Sequence, residues 1–299
     1  VTLFDRLIVA TLPLVPRFVV GRVASRYVAG ETRGEALDVV RQLNGEGALA
    51  TLDLLGEEVF EREKAIAAVE EYVGLYDSIA DGAHDANVSI KLTMLGLKID
   101  EGFCRDNVRR IAEAAAKHGN FLRIDMEDRT TTDATLRIYN ELQPELGNLG
   151  VVFQAYMRRT LSDIAALPAS GANVRLCKGI YIEPRTTAWK GFETVRRNFV
   201  YALRKLFDQG VYVGIATHDE YLVCAACDLI ESYGLSRDQY EFQMLLGVDE
   251  EMRRILIGEG RRLRVYVPYG PDWYPYSTRR LRENPQIARH VLNAMLRGN

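Results

Sequence analysis

At 299 residues, 47% hydrophobic and 26% charged, the chain has the composition of a globular protein, long for one domain but within the length of an α/β barrel. A formal net charge of -3 leaves no basic footprint for nucleic acid, and none is expected as a partner. Four cysteines (Cys104, Cys177, Cys224, Cys227) are too few and too unevenly spaced for a disulfide framework, so a reducing cytoplasm is the expectation.

The apolar run from Leu7 to Val15 contains Pro13 and is followed by Pro16 and Arg17; it is too short to span a bilayer. No small-residue cleavage pattern follows it, so no signal peptide is expected. Residues 2–44 read as helices, and Thr32-Arg-Gly-Glu35 has capping-box spacing ahead of Val39, Val40 and Leu43. Beyond them short apolar runs alternate with amphipathic ones. Strands are predicted at 48–55, 87–92, 121–126, 150–156, 173–179, 211–217, 240–245 and 262–268. Helices are predicted near 60–80, 101–118, 132–143, 160–167, 191–209, 219–232, 249–258 and 276–297. Gly119 and Gly210 stand where helix C-caps belong. Cys224-Ala-Ala-Cys227 falls in mid-helix with no second pair or histidine to complete a site, and reads as two small residues on a helix face. Asn87-Val-Ser89 is a formal glycosylation sequon inside a predicted strand.

Eight strands each followed by a helix predict a (βα)8 barrel of the α/β class with an N-terminal helical segment. A doubly wound open sheet would call for a glycine-rich first turn. Gly45-Glu46-Gly47 precedes a strand instead of following one, and neither a dinucleotide fingerprint nor a P-loop is present. One domain over 1–299 is expected, with helices over 1–44 and the barrel over 48–299.

Polar groups finish every predicted strand. In order they are Asp53 and Glu57; Ser89 and Lys91; Arg123, Asp125, Glu127 and Asp128; Gln154; Arg175 and Lys178; Thr217, His218 and Asp219; Glu241 and Gln243; and Tyr266. Alternate strand residues point into a barrel, and charged groups are costly there unless paired or ligand-bound. Any one of them reads as a structural ion pair. A full ring at the C-terminal strand ends, where barrel active sites lie, reads as a site. His218 is the only strand-end histidine, which excludes a multi-histidine metal centre; no metal is expected. Lys91 or Lys178 offers Schiff-base chemistry, or equally an anion anchor. Arg175, Lys178, Gly179, Thr217 and His218 could hold a diphosphate, and Gln154 the edge of a flat heterocycle. After Pro275, helical spacing sets Tyr276, Arg279, Arg280 and Glu283 on one face. That face suits a carboxylate or phosphate, or is a solvated surface with an internal Arg-Glu pair.

Several of these runs together resemble the proline dehydrogenase family. They are Arg-Ile-Asp-Met-Glu-Asp at 123–128, Arg-x-x-Lys-Gly-x-Tyr at 175–181, Ala-Thr-His-Asp at 216–219, Glu-Phe-Gln-Met-Leu at 241–245 and the stretch from Tyr266 to Glu283. The likeness runs from about Arg26 to Pro285 and points to a bacterial monofunctional member. It implies a distorted barrel that uses FAD to oxidise L-proline to 1-pyrroline-5-carboxylate. Electrons would pass to a membrane quinone from a cytoplasmic protein in peripheral contact with the inner face of the membrane. By motif, Arg279, Arg280 and Lys91 would hold the proline carboxylate, and Glu57 would gate the site by pairing with Arg279. Tyr266 and Leu245 would pack on the pyrrolidine ring, with Tyr181 lining the site. Asp125 and Arg175 are the implied catalytic residues: Asp125 links Tyr266, the arginines and Lys91, while Arg175 lies near the hydride-accepting nitrogen. Met126, Gln154 and Arg175 would contact the isoalloxazine, and Lys178, Gly179, Ile180, Thr217, His218 and Glu283 would complete the FAD site. Cations around Asp125 would weaken it as a base. Ile180 departs from the family, which usually has a small residue there; a branched side chain is expected to tighten the proline pocket against hydroxyproline.

Overall fold

Thr32 caps the helix that begins at Arg33 by the reciprocal bonds its sequence anticipates. Its hydroxyl accepts from the Glu35 N–H (3.3 Å), and the Glu35 carboxylate accepts from the Thr32 N–H (2.9 Å). The computed structural model describes residues 21, 24–168, 171–274 and 277. In chain order these form α1 (Arg33–Gly45), β1 (Leu49–Leu54), α2 (Arg62–Asp81), β2 (Ala86–Ile90), α3 (Glu101–Lys117), β3 (Leu122–Ile124), α4 (Thr132–Leu146) and β4 (Leu149–Gln154). They continue with α5 (Thr160–Ala165), β5 (Asn173–Cys177), α6 (Phe192–Asp208), β6 (Tyr212–Ala216), α7 (Glu220–Ser232), β7 (Tyr240–Leu245), α8 (Glu250–Gly258) and β8 (Leu263–Tyr269).

All eight strands pair in parallel, each with its sequence neighbour, and β1 closes on β8 with Thr51 opposite Tyr266 and Asp53 opposite Pro268. The predicted (βα)8 barrel is the fold. Alternation divides each strand in two. Leu52, Val88, Ile124, Val151, Leu176, Ile215, Phe242 and Val265 face the helices and are fully or almost fully buried with them in one apolar core. The other parity points down the barrel axis, where polar side chains meet.

The predicted elements recur within a few residues, and the main differences lie where strands end. Lys91, Asp125, Met126, Lys178, Gly179 and Thr217 were expected inside strands but follow them directly. The ladder gives way to turns there, as at Lys91, whose carbonyl accepts from the Met94 N–H (3.1 Å). α4 runs on through Pro144 to Leu146 and stops at Gly147, whose φ of 72° is a left-handed cap. Gly119 and Gly210, with φ of 62° and 67°, take the same conformation just past α3 and α6. Cys224 and Cys227 lie on α7, and Asn87 is buried in β2. The helices predicted over residues 2–20 and 276–297 fall outside the described residues, apart from Ser277.

Candidate active site

At the C-terminal mouth two ion pairs sit side by side. Lys91 donates to both oxygens of Asp53 (2.6 and 2.8 Å), and Asp53 is completely buried. Burial alone would lower the Lys91 ammonium, but the carboxylates of Asp53 and Asp125 more than offset it and raise the lysine above its ordinary value. Lys91 is thus held as a cation, which counts against the Schiff-base alternative, since that chemistry needs a neutral amine.

Asp125 has both oxygens engaged. Oδ1 accepts from Arg175 Nη1 (2.5 Å) and Oδ2 from the Tyr266 hydroxyl (2.9 Å). Arg175 also lies over the Tyr266 ring at 5.3 Å and donates from Nη2 to Ser89 (3.1 Å) and from Nε to Gln243 (2.5 Å). Of the network expected around Asp125 the Tyr266 contact is present, and the bond to Arg175 is one that expectation did not include. The direct partner of Lys91 is Asp53, which carried no role in the sequence reading; a buried lysine needs a carboxylate beside it, and the next strand held the nearest in-facing candidate.

Arg123 and Glu241, counted among the strand-end groups, lie deeper. Arg123 donates to the carbonyls of Val151 (3.1 Å) and Asn173 (2.7 Å), and burial with Arg175 nearby pushes its guanidinium down to about 9. Burial would raise the Glu241 carboxyl, yet Arg264, bonded at 2.8 Å, holds it at about 2. These residues form a floor, closed off by their own contacts.

The β4–β6 side of the mouth carries the groups expected to meet a cofactor. Gln154, following along β4, is buried and donates to the Glu127 carbonyl (3.2 Å). Lys178 shares Asp219 with Arg196 (3.1 and 2.7 Å). His218 Nε2 accepts from the Leu245 N–H (2.9 Å), so the neutral ring carries its proton on Nδ1. Gly179 has φ 111°, and a Cβ there would stand 2.2 Å from the Tyr156 ring. Chain direction and space both require glycine at that turn. The donor set of cationic Lys178 and Arg175, an amide at Gln154, Thr217 and His218, beside a backbone kept bare at Gly179, fits a nucleotide carrying a diphosphate and a flat ring.

Glu57 lies on the β1–α2 loop close enough to Glu127 to raise the buried Glu127 carboxyl, after burial itself. That loop is tied down by Thr93, which accepts from the Glu58 and Val59 N–H groups (both 3.0 Å) and in turn donates its own N–H to Glu127 (3.0 Å). Met126 is buried, Tyr181 half-buried, and Ile180 is 40% exposed on the β5–α6 loop. Tyr276, Arg279, Arg280 and Glu283 lie outside the described residues.

The sequence model of the family described as proline dehydrogenase matches residues 36–292. The protein named proline dehydrogenase in Deinococcus radiodurans is 36% identical over 281 residues, 92% of this chain and 91% of that one. Proline dehydrogenase 2 of Bacillus subtilis is 37% identical over 262 residues, 88% of this chain and 86% of that one. Proline utilization A (PutA) from Bdellovibrio bacteriovorus, solved after inactivation by N-propargylglycine, is similar with a TM-score of 0.82 at 25% identity. The match takes in 88% of this chain and 32% of that one, so this chain spans about a third of that protein. With the barrel closed, its mouth charged and the family matched across most of its length, the chain belongs to the proline dehydrogenase family of oxidoreductases.

Proposed function

We propose that this chain, acting as one catalytic domain, uses FAD to oxidise L-proline to 1-pyrroline-5-carboxylate and passes the electrons to a membrane quinone from the cytoplasmic side. The observation that carries the substrate and cofactor assignment is the pairing of Asp125 with both Arg175 and Tyr266 next to the Lys91–Asp53 pair. It sets a cation, an aromatic ring and a fixed guanidinium around one opening. Bound FAD supplies the two-electron acceptor for the hydride that leaves the ring carbon beside nitrogen.

The protein's part is binding and orientation. Lys91, joined by Arg279 and Arg280, holds the carboxylate, and Tyr266 and Leu245 bracket the ring, so that one carbon is presented in a near-attack geometry. The amine must enter neutral, because its lone pair has to assist hydride departure. Asp125 is poorly suited to take that proton, since its protonation would weaken the bonds that its two oxygens accept from Arg175 and Tyr266. Its task in this reading is to hold both of them. Glu57 acts as the gate. Arg175, Gln154 and Met126 face the ring system of the cofactor, with Lys178, Gly179, Ile180, Thr217, His218 and Glu283 around the remainder. Transfer to a quinone requires the chain to meet the bilayer at its surface, as no described helix is long and apolar enough to cross it.

The test is the anaerobic absorption spectrum. Protein supplied with FAD should turn yellow, bleach on addition of L-proline, and yield one pyrroline-5-carboxylate per flavin reduced. Failure to take up FAD, or a flavin indifferent to proline, overturns the reading. Reoxidation of the bleached enzyme by a short-chain quinone tests the acceptor separately.

A further inference from the structure

Arg175 is gripped on three sides, and only two of the grips belong to the mouth. Asp125 and Ser89 hold the terminal nitrogens, while Nε donates to Gln243 Oε1 at 2.5 Å. From Gln243 a chain runs away from the opening. Its amide nitrogen donates to Glu241 Oε1 (2.6 Å), Glu241 accepts from Arg264 Nε (2.8 Å), and Arg264 Nη1 ends on the Ala50 carbonyl (2.6 Å). Gln243 and Glu241 are buried, 5% and 2% exposed, so water does not substitute for these bonds.

The chain selects one orientation of the amide. Flipped, the NH2 group would face the Arg175 N–H and the carbonyl oxygen would face the Glu241 carboxylate, and both contacts repel. The fold also clears a place for this side chain. A Cβ on Gly214, in the middle of β6, would stand 2.4 Å from Gln243 Nε2 and 2.8 Å from its Cδ. Gly214 has no positive φ, so space accounts for it where backbone shape does not, and a strand-interior glycine costs stability.

We propose that Gln243 is a positioning residue for Arg175. Backed by Glu241 and Arg264 and seated over Gly214, it fixes the plane in which the guanidinium meets the reacting centre. The proposal rests on the reading above that Arg175 faces the cofactor. Because other groups hold the proline carboxylate, Gln243 governs reduction rate and the cofactor's electron affinity while leaving substrate capture alone.

The test uses the full chain loaded with FAD, without oxygen. Gln243→Leu should retain FAD, change KM for L-proline by less than about threefold, and slow bleaching by roughly tenfold to a hundredfold. The flavin midpoint potential should fall, since a displaced cation stabilises the reduced form less. Gln243→Glu sets a carboxylate against Glu241 and should be slow as well. A wild-type rate and potential in Gln243→Leu overturns the proposal. If Gln243→Leu does not fold, Gly214→Ala decides: it keeps all polar groups and should show the same slowed bleaching at unchanged KM, and a wild-type rate overturns the proposal. A wild-type protein that takes up no FAD overturns the functional reading and this proposal together. A proline-reducible wild type with indifferent variants overturns this proposal alone.

Discussion

In the floor of the barrel Arg123 and Arg264 face one carboxylate, Glu241, and the surplus positive charge is spread over the backbone carbonyls of Ala50, Val151 and Asn173. In the mouth Lys91 and Arg175 face Asp53 and Asp125, one cation to each carboxylate. The floor thus leans on backbone carbonyls as well as on Glu241, whereas the substrate side of the mouth is balanced among side chains alone. Two consequences follow. Breaking a floor contact leaves a charge with nowhere to go, which is a matter of stability. An incoming carboxylate, by contrast, finds no net positive charge among these four mouth residues and needs cations from elsewhere. Arg279 and Arg280 are the sequence's candidates for that duty.

The largest expected effect strikes the floor. Arg264→Met removes the nearer of the two ion-pair partners of Glu241, at 2.8 Å, and leaves Arg262 at 3.7 Å; loss of one partner from a buried pair costs about 3–5 kcal/mol. Urea unfolding of the apoprotein measures it. A change under about 1 kcal/mol would mean that water reaches the floor and that the contrast with the mouth is false.

The same carboxylate predicts a pH dependence. Its folded pKa of about 2 lies below the ordinary value of 4.5, so its stabilisation is present above pH 4.5 and is lost as pH falls toward 2. The shift corresponds to a contribution on the order of 3 kcal/mol at neutral pH. The stability gap between wild type and Glu241→Gln should therefore be widest above pH 4.5 and narrow in acid. A gap independent of pH would show that Glu241 does not owe its stabilising role to its charge.

The mouth responds in binding. Arg280→Lys keeps a positive charge and loses the planar fork, and should raise KM for L-proline about tenfold, in keeping with a charge-assisted bond worth about 1.5–3 kcal/mol. Unfolding of the same variant should match wild type. An unchanged KM would remove Arg280 from the carboxylate clamp and leave the balanced mouth without its extra cation.

What is legible in the sequence follows the same division. The barrel was legible because strand and helix periods alternate eight times, a local signal. The mouth was legible as a set: Lys91, Asp125, Arg175 and Tyr266 do converge, although they come from different elements. What escaped was depth and pairing. Arg123 and Glu241 stand in the same strand-end runs as true mouth residues, and only the register shows that their side chains lie a level below. The pairing of Asp53 with Lys91 escaped because contacts across β1 and β2 depend on stagger, which one sequence does not encode visibly. Gly214 looked like an ordinary strand residue until the side chain passing over it was in view.

The smallest effect is expected at Ile180, which belongs to neither cluster. At 40% exposure on the β5–α6 loop, beside Gly179 and near the fully exposed Ile182, it is not held by the core. Its influence on the pocket would therefore be steric and slight, on the order of the 1–3 kcal/mol that a methylene-sized change in a pocket is worth, and toward the lower end. Ile180→Ala should improve kcat/KM for hydroxyproline relative to proline by a few fold, because a shorter side chain gives the added hydroxyl room while the carboxylate clamp, common to both substrates, is untouched. The ratio cancels errors in enzyme concentration and FAD occupancy, so it isolates shape from loading. If the ratio stays fixed, the side chain points away from the substrate, and selectivity at this mouth rests on Tyr266 and Leu245 instead.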